Sequence, residues 1–292
     1  MHKRKNDIIE IILGKRAGFC PGVKKAVYLA ESLSKKYPKP IYTAGPLIHN
    51  PQEIKRLSGL GIKPIQNLKE LKKGTLIIRT HGLPKETLQK VKEKNINIVD
   101  ATCLFVKRVQ NLVENLSKQR YNIIVIGEKD HPEVISLVSY SQTPVEVINK
   151  EDEIKNIRIK EPIAVVSQTT QSEKKFNTIV SELKKRYKRI KIFNTICSAS
   201  SERQKETEQI AKKVDLMLVI GGKNSGNTRR LKDISSKYVK TYHIESEREI
   251  KNKWFENIKK IGITAGASTP EWLIKKVIKH LNQIFGIKEQ QP

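Results

Sequence analysis

Cysteine is scarce in this sequence, three among 292 residues. So small, odd and scattered a set makes no disulfide framework, and in a reducing compartment all three stay thiols. Aromatic residues are only 5% of the chain, so the stacking platforms of single-strand nucleic-acid binders are sparse. No apolar run approaches the roughly 18 residues of a membrane span. The N-terminal MHKRKND lacks the apolar stretch of a signal peptide. There is no Walker A pattern, which argues against a nucleoside triphosphate, and GGKNSG lacks the spacing of a dinucleotide fingerprint. These absences lead us to expect a cytoplasmic protein with no membrane partner.

Acidic residues are also short, 30 against 57 Lys and Arg, for a net charge of +27. Such an excess fits nucleic acid, an anionic membrane surface or a small anionic substrate. The lysines are spread over nearly every helical segment instead of forming a block, which reads as a compositional habit of the chain, and we expect no nucleic-acid partner. The length allows two or three compact units, and 37% hydrophobic residues supply their cores.

What the chain does contain is a threefold repeat. NDIIEIIL leads to Cys20 in GFCPG, NINIVD to Cys103 in ATCLF, and RIKIF to Cys197 in TICSAS; each cysteine stands where a strand hands over to a helical pattern. A second strand follows each helix (IYTA, YNIIVIG, DLMLVIGG) and ends in a polar cluster at His49, His131 or Ser225. These lie 29, 28 and 28 residues after the preceding cysteine. A further helix, a short strand (IKPI, VEVI, KTYHI) and a last strand follow. The last strand ends in a second polar cluster, at His81, at Thr169 and Thr170, or at Ser268 and Thr269. Strands alternating with helices at this rhythm predict an α/β fold with three small parallel sheets of about four strands. Loops at the carboxyl ends of such strands carry binding residues. The nine clusters are therefore expected to face one shared cleft.

Three thiols at equivalent strand-to-helix turns are more than inert small hydrophobes. Helix N-termini favour the thiolate, the metal-binding form. A structural zinc site is normally closed by four ligands, whereas an iron–sulfur cubane held by three cysteines leaves one iron open. The long spacing excludes compact CxxC signatures, but with histidines nearby the residues themselves leave Cys3His zinc open. His49, His81 and His131 occupy polar loops at strand ends, while His2, His243 and His280 receive no role. Together with Thr169, Ser225, Asn227 and Ser268 they form a set of imidazole, hydroxyl and amide groups suited to phosphate or diphosphate. Glu133, in DHPEV, is either a first-turn capping carboxylate or, in a partly dry cleft, an acid with a raised pKa that donates a proton.

GFCPGVKKA, GPLIHNP, RTHG, DATC, HPEV, SQTT, NTIC, GGKNSGNT and TAGAS, in this order, resemble the 4-hydroxy-3-methylbut-2-enyl diphosphate reductases, the last enzymes of the non-mevalonate isoprenoid pathway. The resemblance runs from about residue 10 to about residue 285. It implies a three-domain trefoil around a 4Fe-4S cluster held by Cys20, Cys103 and Cys197. It further implies a substrate diphosphate gripped by His49, His81, His131, Ser225, Asn227 and Ser268, and protons delivered by Glu133 working with Thr169. Electrons would come from an external donor such as ferredoxin or flavodoxin, and the products would be isopentenyl and dimethylallyl diphosphates. The domains expected are 21–103, 104–194 and 195–285, with 8–20 packing on the third and 286–292 as a tail. Pro21, Leu104, Asn194, Ser136 and Gly226 depart from the family's usual residues; Ser136 stands where glycine is frequent, and Gly226 lacks a hydroxyl that would contact phosphate.

Overall fold

The computed structural model describes residues 9–286; MHKRKND and IKEQQP, which the sequence presents as solvated tails, lie outside them. In chain order, the strand β1 (Glu10–Leu13) is followed by α1 (Pro21–Lys36), β2 (Ile41–Ala44), α2 (Pro51–Gly59), β3 (Ile62–Ile65), β4 (Thr75–Ile78), α3 (Lys85–Lys92) and β5 (Asn97–Asp100). Next come α4 (Leu104–Lys118), β6 (Asn122–Ile126), α5 (Pro132–Val138), β7 (Val145–Ile148), β8 (Ile163–Ser167), α6 (Glu173–Arg186) and β9 (Ile190–Ile192). The last part holds α7 (Ser198–Ala211), β10 (Leu216–Ile220), α8 (Gly226–Ser235), β11 (Lys240–Ile244), β12 (Lys260–Ala265) and α9 (Glu271–Phe285). None of the described helices is long and apolar enough to cross a membrane.

The strands form three four-stranded parallel sheets, ordered β3-β2-β4-β5, β7-β6-β8-β9 and β11-β10-β12-β1. Each has the same order, second-first-third-fourth, and in the last sheet the fourth place is filled by β1 from the start of the chain. The repeat is thus cyclic. The α/β class and the three sheets agree with the sequence reading.

The described chain divides into two compact units. One holds the chain up to Cys20, His49–Glu53 and the stretch from Glu202 onward, with the sheet containing β10. The other holds Pro21–Ile48 and Ile54–Ser201, with the remaining two sheets.

Central strands carry the cores. NIIVI, IAVVS and LMLVI are almost wholly buried because helices cover both faces of a parallel sheet, which is why they read as continuous apolar runs without alternation. Ile124, Ile126, Ile163 and Val165 pack with Phe176, Ile179 and Leu183 of α6 on one face. Ile123, Val125, Ala164 and Val166 pack with Val109, Val113 and Leu116 of α4 on the other. In the first unit, Leu218, Ile220, Ile261 and Ile263 pack with Leu273, Val277 and Leu281 of α9.

Gly262 in β12 has no room for a side chain: a Cβ there would lie 2.2 Å from Met217 Sδ and 2.7 Å from Ile210 Cγ2. Gly59, the last residue of α2, would meet nothing within 4 Å. Gly262→Ala is therefore expected to destabilise by about 1–3 kcal/mol through overpacking, whereas Gly59→Ala is expected to be neutral or to stabilise by up to about 1 kcal/mol. Denaturant unfolding of the two variants beside the parent measures both signs, and loss of stability in Gly59→Ala with none in Gly262→Ala would contradict the packing described.

Candidate functional site

Each cysteine follows the fourth strand of its sheet and is fixed in the same way. The Cys20 N–H donates to Ala267 O (3.0 Å), the Cys103 N–H to Thr80 O (3.0 Å) and the Cys197 N–H to Thr169 O (2.9 Å). The acceptors lie in the loops that follow β12, β4 and β8, the third strands of the three sheets. For Cys103 and Cys197 the bond keeps the register of the parallel pairing, after Ala101 N–H to Ile78 O and Phe193 N–H to Val165 O. For Cys20 the pairing ends with Gly14 N–H to Ile263 O, a turn closed by Ala17 N–H to Gly14 O follows, and the Cys20 bond forms afterwards in a shifted register.

Local chemistry then shapes each turn. At the end of β5, Asp100 Oδ1 accepts the Thr102 N–H at 2.9 Å and Oδ2 takes Lys107 Nζ. Burial acts to raise the Asp100 carboxyl, but the hydrogen bonds from Lys107 and Thr102 outweigh it and hold the pKa below its ordinary value. Cys103 occupies the N-cap position of α4 without a side-chain capping bond. A Cβ on Gly22 would come within 2.8 Å of Cys103 Sγ, so only glycine lets α1 lie against that sulfur. Cys197 Sγ lies 3.0 Å from Ser200 Oγ. All three cysteines are partly exposed and none forms a disulfide.

In the unit holding Cys103 and Cys197, the structure gathers His81, His131, Glu133 and Thr169. Glu133, only 2% exposed, accepts the Thr169 N–H at 2.6 Å on one carboxylate oxygen and the Thr169 hydroxyl at 2.9 Å on the other. Thr169 thus carries Cys197 on its carbonyl and Glu133 on its N–H and hydroxyl. His131 caps α5: its Nδ1 accepts the Glu133 N–H at 3.2 Å, so in the neutral ring the proton sits on Nε2. Pro132 at the first helical position loses no hydrogen bond by lacking an N–H. The His81 and His131 rings meet edge to face with centroids 5.4 Å apart. His81 follows Thr80, which holds Cys103 and whose own N–H and hydroxyl both reach Leu47 O.

The other unit gathers Cys20, His49, Ser225, Asn227 and Ser268. Ser268 Oγ donates to His49 O at 3.3 Å, and a Cβ on Gly222 would stand 2.7 Å from the same carbonyl. Asn50 Oδ1 accepts the Glu53 N–H, and the buried Glu53 carboxylate accepts Trp272 Nε1–H at 3.0 Å, which pins this segment to α9. Ser225 caps α8, its Oγ accepting the Thr228 N–H. Asn227 is 5% exposed, yet neither its Nδ2 nor its Oδ1 has a hydrogen-bond partner among the described residues. The orphaned Nδ2, in the first turn of a helix, is a donor suited to an anionic ligand, whereas Oδ1 needs a donor such as water or a protonated group.

His243 lies on β11 with Nε2 2.8 Å from Gly221 O, and burial lowers its pKa; His280 lies on α9. Two residues the sequence reading passed over support Cys20. Arg203, 3% exposed, donates from Nε to Arg16 O and from NH2 to Gly18 O, both at 2.8 Å, and Glu206 accepts the N–H groups of Lys15 and Arg16 at 2.9 Å. The available signal was α7 itself, a helix without an apolar stripe whose Arg203, Gln204 and Thr207 are buried. Such a helix needs polar partners.

Each of the three turns offers one thiol, and the sequence has no other cysteine. Soft thiolates suit zinc or an iron–sulfur cluster and do not suit magnesium or calcium.

A model of the LytB protein family matches residues 11–282. The 4-hydroxy-3-methylbut-2-enyl diphosphate reductase of Nautilia profundicola is 45% identical over 274 residues, covering 92% of this chain and 98% of that protein. A solved structure of (E)-4-hydroxy-3-methyl-but-2-enyl diphosphate reductase, the terminal enzyme of the non-mevalonate pathway, is 43% identical. It superposes with a TM-score of 0.70 over 94% of this chain and 100% of that one. The E-1-hydroxy-2-methyl-but-2-enyl-4-diphosphate reductase from Plasmodium falciparum is 28% identical and reaches a TM-score of 0.90 over 94% of this chain and 88% of its own. With a family match across nearly its whole length and relatives above 40% identity, the chain belongs to the LytB protein family.

Proposed function

We propose that this chain is a 4-hydroxy-3-methylbut-2-enyl diphosphate reductase, an oxidoreductase of the non-mevalonate pathway. It takes an allylic diphosphate alcohol and, with two electrons and two protons, breaks the C–OH bond, releases water and forms one C–H bond at either end of the allyl unit. The products are isopentenyl and dimethylallyl diphosphates. The observation that carries the reading is the repeated fixation of Cys20, Cys103 and Cys197 at strand-to-helix turns, on loops bearing Ser268, His81 and Thr169.

In this reading the three cysteines would hold a 4Fe-4S cluster, with one iron left without a protein ligand. Such a cluster would supply electrons and a Lewis-acid site for the substrate hydroxyl. The electrons would come from an external donor such as ferredoxin or flavodoxin, and the enzyme would work in the cytoplasm. Residues 21–103, 104–194 and 195–285 form three domains of a trefoil around a central cleft, with 8–20 joining the third. The matching order of the three sheets supports that division.

The chain's own residues do the rest. His49, His81, His131, Ser225, Asn227 and Ser268 bind the diphosphate, and holding the unreactive end fixes the position of the hydroxyl. His131 serves as a donor through Nε2, since its Nδ1 is occupied by the Glu133 N–H. The unpartnered Asn227 amide supports its place among these groups. With a proton on the Glu133 oxygen that faces the Thr169 hydroxyl, Thr169 passes its own hydroxyl proton to the departing oxygen and takes the Glu133 proton in its place, while its N–H keeps the other carboxylate oxygen fixed. Hydroxide is a poor leaving group, so protonating that oxygen is where a side chain gains most.

Anaerobic purification followed by iron, sulfide and zinc analysis, with turnover of the allylic diphosphate by a chemical reductant, tests the proposal. The expected protein is brown and active, and its Cys103→Ala form loses both cluster and turnover. A colourless wild type containing zinc, or one with full turnover and no iron, would refute it. Glu133→Gln keeps the shape of the Thr169 contacts, because its Oε1 still accepts the N–H and its Nε2 donates to the hydroxyl. It is expected to retain iron while kcat falls by at least about 100-fold; kcat unchanged from the parent at equal iron content would remove Glu133 from the chemistry.

A further inference from the structure

We infer that Ser136 is a positioning residue whose hydroxyl latches the loop carrying His81 onto the helix carrying His131 and Glu133. Buried serines inside helices usually bond a carbonyl one turn back. Ser136, fully buried on α5, instead donates to Leu83 O at 2.9 Å, 53 residues away in sequence. The same oxygen accepts Gln110 Nε2–H at 2.8 Å, from a buried glutamine on α4, the helix that Cys103 opens.

Ser139, the C-cap residue just past α5, accepts the Lys85 N–H on its Oγ at 2.9 Å. Ser136 and this C-cap serine therefore grip two backbone groups just after His81. Lys85 Nζ adds an ion pair to Glu114 of α4 at 2.6 Å. Gly82, with φ +74°, sits directly on the latch: a Cβ there would lie 2.4 Å from Gln110 Nε2 and 3.1 Å from Ser136 Oγ. The loop cannot approach so closely with any other residue, and the approach brings His81 edge-on to His131.

Three pieces of the site meet at this hydroxyl: the helix after Cys103, the loop of His81, and the helix of His131 and Glu133. Ser136 touches no reacting atom. It sets the spacing of two imidazoles that, on the proposed function, grip the diphosphate, and the inference rests on that reading only for its kinetic consequence.

Ser136→Ala leaves Leu83 O without its donor and Gln110 Nε2 without its acceptor, both buried. Ser136→Gly also removes Cβ, which leaves room for one water to bridge the same two groups. With the holoenzyme and a viologen reductant, Ser136→Ala is expected to raise KM for the allylic diphosphate about tenfold with kcat within about twofold. Ser136→Gly should bring KM back to within about threefold of the parent. Hydrogen exchange of residues 79–84 should speed up in Ser136→Ala and recover in Ser136→Gly. Unchanged KM and exchange in Ser136→Ala, or a loss of thermal stability alone, would overturn the inference, as would equal impairment of the two variants. A parent enzyme without turnover would instead sink the proposed function, and the exchange measurement would still decide whether the latch exists.

Discussion

A single backbone hydrogen bond, made three times, fixes the cysteine turns: the cysteine N–H to the carbonyl of the loop beyond the neighbouring strand. At Cys103 and Cys197 it keeps the register of a parallel ladder already in place, and at Cys20 it forms again after a turn. Its consequence is that a flexible strand-to-helix turn inherits the rigidity of a buried sheet. A soft ligand on a loop is a poor metal ligand unless something fixes its backbone, and second contacts of this kind orient first ligands. The acceptor residue is also the neighbour of a polar site residue, Thr80 beside His81 and Ala267 beside Ser268, or is itself one, Thr169. The fixation of sulfur and the placement of hydrogen-bonding groups are therefore one structural event.

Thr169 shows how far this coupling goes. Its carbonyl holds Cys197, and its N–H and hydroxyl hold the two oxygens of Glu133. A buried carboxylate with both oxygens occupied has a defined orientation, and the ligand and the proton-delivering group of the proposed reaction share one residue's backbone. Asn227 is complementary: its amide is buried with no hydrogen-bond partner among the described residues. Saturated groups set the frame, and the proposed function assigns the unsaturated one to the ligand.

Much of this was legible in the sequence, and for stated reasons. NIIVI, IAVVS and LMLVI read as strands because two-sided burial demands continuous β-branched and aliphatic runs. The near-equal offsets from each cysteine to His49, His131 and Ser225 exposed the repeat. What a linear reading could not give was contact across distance. The fourth place of the last sheet is taken by β1, more than 200 residues away from β10 in sequence; that pairing leaves no local pattern, and only the family resemblance implied that 8–20 packs on the third domain. Arg203 and Glu206 looked like ordinary charges on a polar helix, although they hold the backbone leading to Cys20. Ser136 looked like a departure from a frequent glycine, and only its bond to Leu83 gives it a task.

The central claim is that three repeated turns present their sulfurs to one inorganic centre. Anomalous diffraction at the iron edge from anaerobically grown crystals measures this directly. The account requires a single iron-containing cluster bonded by Cys20, Cys103 and Cys197. Iron bound by only some of these sulfurs, or sulfurs facing separate sites with no shared metal, would contradict it.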